Sequence, residues 1–206
     1  MRKIGALLAL TAAIGLPLAH AKAPAKQEKP QHQPEWAQEP DGFLGIKFGQ
    51  SIPDAQTLPD CPMLVAHVAN PRPGYLCYDG DSRSTYGSLL GLPDLGFGYR
   101  VNVMLDNSVP NSFVLGTSSD NFTALAKVLI QRYGKPSKDT VGKVQSKAGA
   151  EFDNETLQWV GKHVTITAEK RSGQVDTAQV MISDRAYWEA RAKADEQTST
   201  ENASKL

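Results

Sequence analysis

The sequence predicts an α+β domain, an antiparallel sheet with one packed helix, and three patterns carry that expectation. From Leu95 to Leu105 every second residue is apolar, which is the period of a strand with one buried face. From Phe122 to Tyr133 the apolar residues fall three and four apart, as on a helix that buries one stripe. Beyond residue 150 the period returns to two in three successive segments.

The elements follow in chain order. Arg2 and Lys3 precede a 16-residue uncharged run, Ile4 to Ala19, that closes on Ala19-His20-Ala21. This is the pattern of a secretory signal peptide cut after Ala21. The run holds Gly15 and Pro17 and falls short of the roughly 20 apolar residues that span a bilayer. The mature chain is therefore expected to lack a transmembrane segment and to be periplasmic or secreted. Residues 22–40 are rich in Pro, Gln and Lys and read as a flexible leader.

A single α+β domain is expected over 41–184. Gly42 to Gly49 reads as a short strand with Leu44, Ile46 and Phe48 on one side. From Gln50 to Ser84, proline and glycine recur too often for long elements, so an irregular lobe is expected there. Cys61 and Cys77 lie in this lobe, and an even cysteine count in an exported chain favours a bond between them. Closing that loop stabilises a fold by about 3 kcal/mol. The long strand from Leu95 turns through Asp106 to Asn111, and Phe113 and Leu115 resume the buried face.

Ser118, Ser119 and Asp120 are helix N-caps for a stripe of Phe122, Leu125, Ala126, Leu129, Ile130 and Tyr133. Gly134 and Pro136 stop that helix, expected over about 120–133. A polar connector, Lys135 to Ala150, leads to strands at about 155–160, 163–170 and 175–183, with turns at Gly161-Lys162 and Ser172-Gly173. The order is strand-strand-helix-strand-strand-strand, preceded by the disulfide-closed lobe. Asp184 can cap a last helix over 185–197, and 198–206 reads as a disordered tail.

Ile46-Lys-Phe-Gly49, Arg132-Tyr-Gly-Lys-Pro136 and Trp159-Val-Gly-Lys-His-Val-Thr-Ile166 resemble segments of small exported proteins of Gram-negative bacteria. That resemblance covers about residues 43–184; it implies a periplasmic α+β domain and no catalytic residue.

Cleavage after Ala21 removes two basic groups and no acidic ones, leaving 20 Lys and Arg against 22 Asp and Glu. Nucleic acid is not an expected partner, because it recruits clustered basic side chains. Motifs for chemistry are incomplete. Asp79-Gly-Asp-Ser-Arg-Ser begins like a calcium loop but has Arg83 at a ligand position and Leu90 where a closing Glu belongs. Gly80-Asp81-Ser82 lacks the second glycine of a nucleophile elbow, and only His67 and His163 are available as a base. The same two histidines are too few for zinc, so neither metal nor cofactor is expected. Glu151, Asp153 and Glu155 align on one side of an extended chain and read as a solvated edge.

The strongest site candidate is Gly96, Gly98, Arg100 and Asn102, which alternate opposite the buried set of the long strand. Glycine inside a strand marks a close approach of backbone or ligand, and Arg100 alongside suits an anion. A bend packed under the loop from Ser84 to Asp94 is the competing explanation. The expected function is therefore binding without bond-making chemistry, with another envelope protein or a small anionic ligand as partner. A small hydrolase or envelope-modifying enzyme and an outer-membrane assembly factor are the alternatives.

Overall fold

The computed structural model describes residues 36, 39–52, 61, 76–80 and 85–205. The signal-peptide pattern, nearly all of the leader, His32, His67 and Asp81 to Ser84 lie outside the described residues.

The chain forms an α+β fold with an eight-stranded, wholly antiparallel sheet. Its strands are β3 (Cys77–Asp79), β4 (Tyr86–Leu90), β5 (Tyr99–Asp106), β6 (Val109–Ser118), β7 (Lys138–Gln145), β8 (Glu151–Val160), β9 (Val164–Glu169) and β10 (Thr177–Asp184), in the spatial order β3-β4-β5-β6-β10-β9-β8-β7. A separate two-stranded hairpin, β1 (Gly42–Phe43) and β2 (Ile46–Lys47), precedes it. Between β6 and β7 a short 3-10 turn leads into helix α1 (Phe122–Tyr133), and α2 (Arg185–Ala203) follows β10.

Register aligns the apolar set of each strand across the sheet. One cross-strand row runs Leu89, Val101, Leu115, Val180, Ala168, Leu157, and the next runs Val103, Phe113, Ile182, Ile166, Trp159. All eleven are buried, and they form the inner face. Phe122, Leu125, Ala126, Leu129 and Tyr133 of α1 pack in the same core, joined by Phe43 and Phe48 against Phe113. Trp159, fully buried, donates its indole N–H to Gly134 O at 2.8 Å and so ties β8 to the end of α1. Gly134 has φ +83°, the left-handed stop expected of that residue.

The other expected features of the helices divide. Asp184 caps α2 by accepting from Ala186 and Tyr187 N–H, as its position suggested. The helix runs on to Ala203, past the boundary at 197, although Thr, Ser and Asn are weak helix formers; the Thr198 and Thr200 hydroxyls donate back to Ala194 O and Glu196 O at 2.9 Å. Ile130, placed on the buried stripe of α1, is 41% exposed at the stripe's margin.

Cys61 and Cys77 are disulfide-bonded, and Cys61 N–H also donates to Tyr78 O at 2.9 Å. The irregular lobe nonetheless contributes β3, and the loop expected from Ser84 to Asp94 contains β4, whose Leu89 is buried between β3 and β5. Three strand expectations change. Gly42 to Gly49 is a hairpin, turned at Leu44 (φ +52°) and Gly45 (φ +84°), rather than one strand. The connector at 135–150 contains β7, whose residues are almost all exposed and carry no apolar alternation. The long strand begins at Tyr99, because Gly96 (φ +79°) bends the chain before it.

Packing also starts earlier than residue 41. The Trp36 ring lies tilted against Tyr133, centroids 5.9 Å apart, and Glu39 Oε1 accepts from the backbone N–H of His163 (2.5 Å) and Val164 (2.7 Å). His163 lies in the β8–β9 turn and Val164 opens β9. Burial acts to raise the Glu39 carboxyl, but the N–H groups of His163, Val164 and Lys162 together outweigh it and hold the pKa below the ordinary value.

Candidate functional site

Between the hairpin β1–β2, α1 and the chain before β5 opens a pocket of about 710 Å³. Leu115 of β6, Leu125, Val128 and Leu129 of α1, and Tyr99 of β5 line its depth; Phe43, Leu44 and Leu95 close over it. The volume lies in the range of small-molecule sites, which are mostly apolar with a few placed polar groups.

Each wall has a local cause. The Tyr99 hydroxyl donates to Pro93 O at 2.6 Å, fixing the ring across one side, and burial pushes its pKa up, with Asp94 adding to the effect. Leu44 reaches the pocket only because the hairpin turn holds it at positive φ, an uncommon place for a bulky residue. Such strain costs on the order of 1 kcal/mol and concentrates at sites that use the side chain it positions.

The rim is charged. Glu39 is committed to the β8–β9 turn, and Asp41 pairs with Lys47 at 2.9 Å. The Lys47 ammonium holds the Asp41 carboxyl below its ordinary range. Arg132 also lines the pocket, its guanidinium beside the Tyr133 hydroxyl, and it has no carboxylate partner among the described residues. Burial raises the Tyr133 pKa despite that neighbour, so the phenol stays neutral. The two carboxylates on the rim are both engaged, and among the described residues no histidine lines the pocket. Among the described residues no three His, Cys, Asp or Glu side chains group as metal ligands.

The quartet singled out from sequence sits elsewhere. Leu95 and Tyr99 line the pocket, whereas Arg100 and Asn102 lie on the opposite face of β5, and Gly96 and Gly98 precede the strand and are not in the lining. A Cβ at Gly96 or Gly98 would meet no described atom within 4 Å, so nothing described packs under either glycine. Gly96 is explained by its turn, in which its N–H donates to Asp94 Oδ1 at 2.8 Å. Arg100 does lie against bare backbone, but the glycine is Gly116, directly opposite on β6, where a Cβ would come within 3.2 Å of the guanidinium. Asn102 accepts from Ser88 Oγ at 3.0 Å.

The remaining candidates resolve as structure. His163 is exposed in the β8–β9 turn. Asp153 pairs with Lys143 at 2.5 Å, which lowers its carboxyl, and Glu151 and Glu155 stand on the same strand with no group converging on them. A second depression of about 530 Å³ lies on the outer face, where Trp188 and Ala192 of α2 overhang Thr167 and Met181. Trp188 is anchored there by donating to Ser112 Oγ at 2.9 Å.

The fold and this arrangement define an α+β protein with a largely apolar pocket beside a hairpin, lined also by Arg132, which has no carboxylate partner among the described residues. No protein-family model, curated protein or solved structure matches the chain.

No signal in the sequence pointed to the pocket as such. Its residues come from 39–47, 93–99, 115 and 125–133, and each segment alone reads as ordinary core.

Proposed function

We propose that this protein is a non-enzymatic binding domain that takes an apolar molecule with an anionic end into the pocket beneath the β1–β2 hairpin. The observation that carries this reading is the pairing of an apolar chamber with Arg132 at its mouth, in a site whose two carboxylates are already engaged. An apolar body would bury against Leu44, Val128 and Leu129, worth about 25 cal/mol per Å² of area removed from water. The anionic end would pair with Arg132, and a carboxylate there would gain a charge-assisted contact. Export to the bacterial envelope belongs to the same proposal: a disulfide suits an oxidising compartment, and no helix among the described residues is long and apolar enough to cross a membrane.

Anilinonaphthalene sulfonate, an apolar ring system with one negative charge, serves as the probe. Its fluorescence should rise saturably with the folded protein, and Val128→Trp should abolish the rise by filling the chamber. Arg132→Gln should weaken it several-fold without changing the melting temperature. No saturable rise with the wild-type chain, or a rise that Val128→Trp leaves intact, would rule the pocket out. The Gly96, Gly98, Arg100 and Asn102 surface remains a separate proposal for a protein partner, for which Gly98→Val is the steric test.

A further inference from the structure

The two edges of the large sheet differ. At the β3 edge, Cys61 is bonded to Cys77 and its N–H reaches Tyr78 O, so that edge is partly covered. At the other edge β7 offers eight residues in unbroken register with β8 on one side and, among the described residues, nothing on the other. Its sequence has no proline and its register no bulge, two of the devices that blunt an open edge, and its charged residues Lys138, Asp139 and Lys143 are of both signs. Val141, at its centre, is 66% exposed.

Which backbone groups face outward follows from two hydrogen bonds. Ser146 N–H donates to Ala150 O at 2.8 Å, and these two continue the β7–β8 register past Gln145 and Glu151. Hydrogen-bonded pairs alternate along an antiparallel ladder, so Val144, Gly142 and Thr140 bond to β8, while Lys143, Val141 and Asp139 turn N–H and C=O to the free edge. The far side of β8 agrees. Lys170 N–H donates to Glu155 O at 2.9 Å, so Glu155, the register partner of Val141, spends its backbone groups on β9.

We infer that β7 pairs antiparallel with β7 of a second copy, about a two-fold axis through Val141. Outward-facing residues must then stand opposite outward-facing residues. A register centred on Asp139 or Lys143 sets like charges together, and one centred on Thr140 or Gly142 leaves Asp139 without an opposite charge. Centring on Val141 sets Asp139 of each copy opposite Lys143 of the other, with Val141 against its own counterpart. Opposite charges directly across strands stabilise the pair, and the two-fold supplies the contact twice. Asp139 has no ion-pair partner among the described residues, and Lys143, already beside Asp153, would lie between two carboxylates.

Sedimentation of the purified chain across a concentration series tests this. Wild-type protein should show a monomer–dimer equilibrium, with exchange protection of the Val141 and Lys143 amides rising as dimer forms. Val141→Pro removes only an outward N–H, which an edge strand tolerates, so it should give a folded monomer. Asp139→Lys should weaken association about tenfold by opposing like charges. Combining it with Lys143→Asp should restore association, because the charges then match across the axis. A chain that stays monomeric at millimolar concentration, a dimer indifferent to Val141→Pro, or a folded double variant that stays monomeric would each overturn the proposal. A monomeric outcome would leave the edge to a strand from another protein.

Discussion

The two faces of the eight-stranded sheet share every backbone hydrogen bond and almost nothing else. The inner rows are Val, Leu, Ile, Phe, Trp and Ala; the outer rows run Ser88, Asn102, Val114, Met181, Thr167, Gln158 and Arg100, Gly116, Gln179, Glu169, Thr156. The inner face is covered by α1, the β1–β2 hairpin and Trp36, whereas among the described residues the outer face is overhung by α2 at Trp188 and Ala192, and none of that helix's residues is buried. The difference teaches where energy and function separate. Stability comes from the inner face, and so does the pocket, because only a face covered by a second layer can enclose a cavity.

Substitutions should separate the faces sharply. Trp159→Ala removes a fully buried ring and its bond to Gly134 and should cost about 3–5 kcal/mol in denaturant unfolding. Thr167→Ala on the outer face should stay within about 0.5 kcal/mol. Equal costs would mean that the outer face is also packed. Reducing the Cys61–Cys77 bond should lower stability by about 3 kcal/mol and loosen the β3 edge first, which exchange at Tyr78 would register.

Glu39 sharpens the comparison by linking the segment over the inner face to a turn between strands. Glu39→Ala should cost about 1 kcal/mol, since it removes the acceptor of two backbone donors, of which only Val164 N–H is partly buried. Its folded pKa lies below the unfolded one, so its contribution is present above the ordinary glutamate pKa and lost as pH falls through the depressed value. Wild-type unfolding free energy should therefore drop in that acid window by more than that of Glu39→Ala. The smallest contrast lies between neighbours. Gly96→Val should cost about 1 kcal/mol because Gly96 holds positive φ, while Gly98→Val should leave the melting temperature unchanged.

What was legible in the sequence follows the same division. The stripe of α1 and the alternations of β5, β9 and β10 could be read because each buries one face against a second layer, and burial writes a period into the chain. β7 could not, since both its faces meet solvent and its Lys, Asp and Thr residues carry no period. The alternation from Leu95 ran past a bend that one glycine imposes, so it overstated β5 by four residues. The Cys61–Cys77 pairing was within reach of a count of two. Glu39 was not, because a carboxylate that caps a turn more than 120 positions away leaves no local mark. The pocket shares that property, being assembled from four segments that meet only in the fold.

The most direct measurement of the central claim is a methyl-labelled NMR titration with anilinonaphthalene sulfonate. Methyl shifts should concentrate on Leu44, Leu125, Val128 and Leu129, and leave Val114 and Met181 on the outer face unmoved. Shifts centred on Met181 and Val114, with the α1 methyls silent, would contradict the account and move the binding site to the groove beneath Trp188.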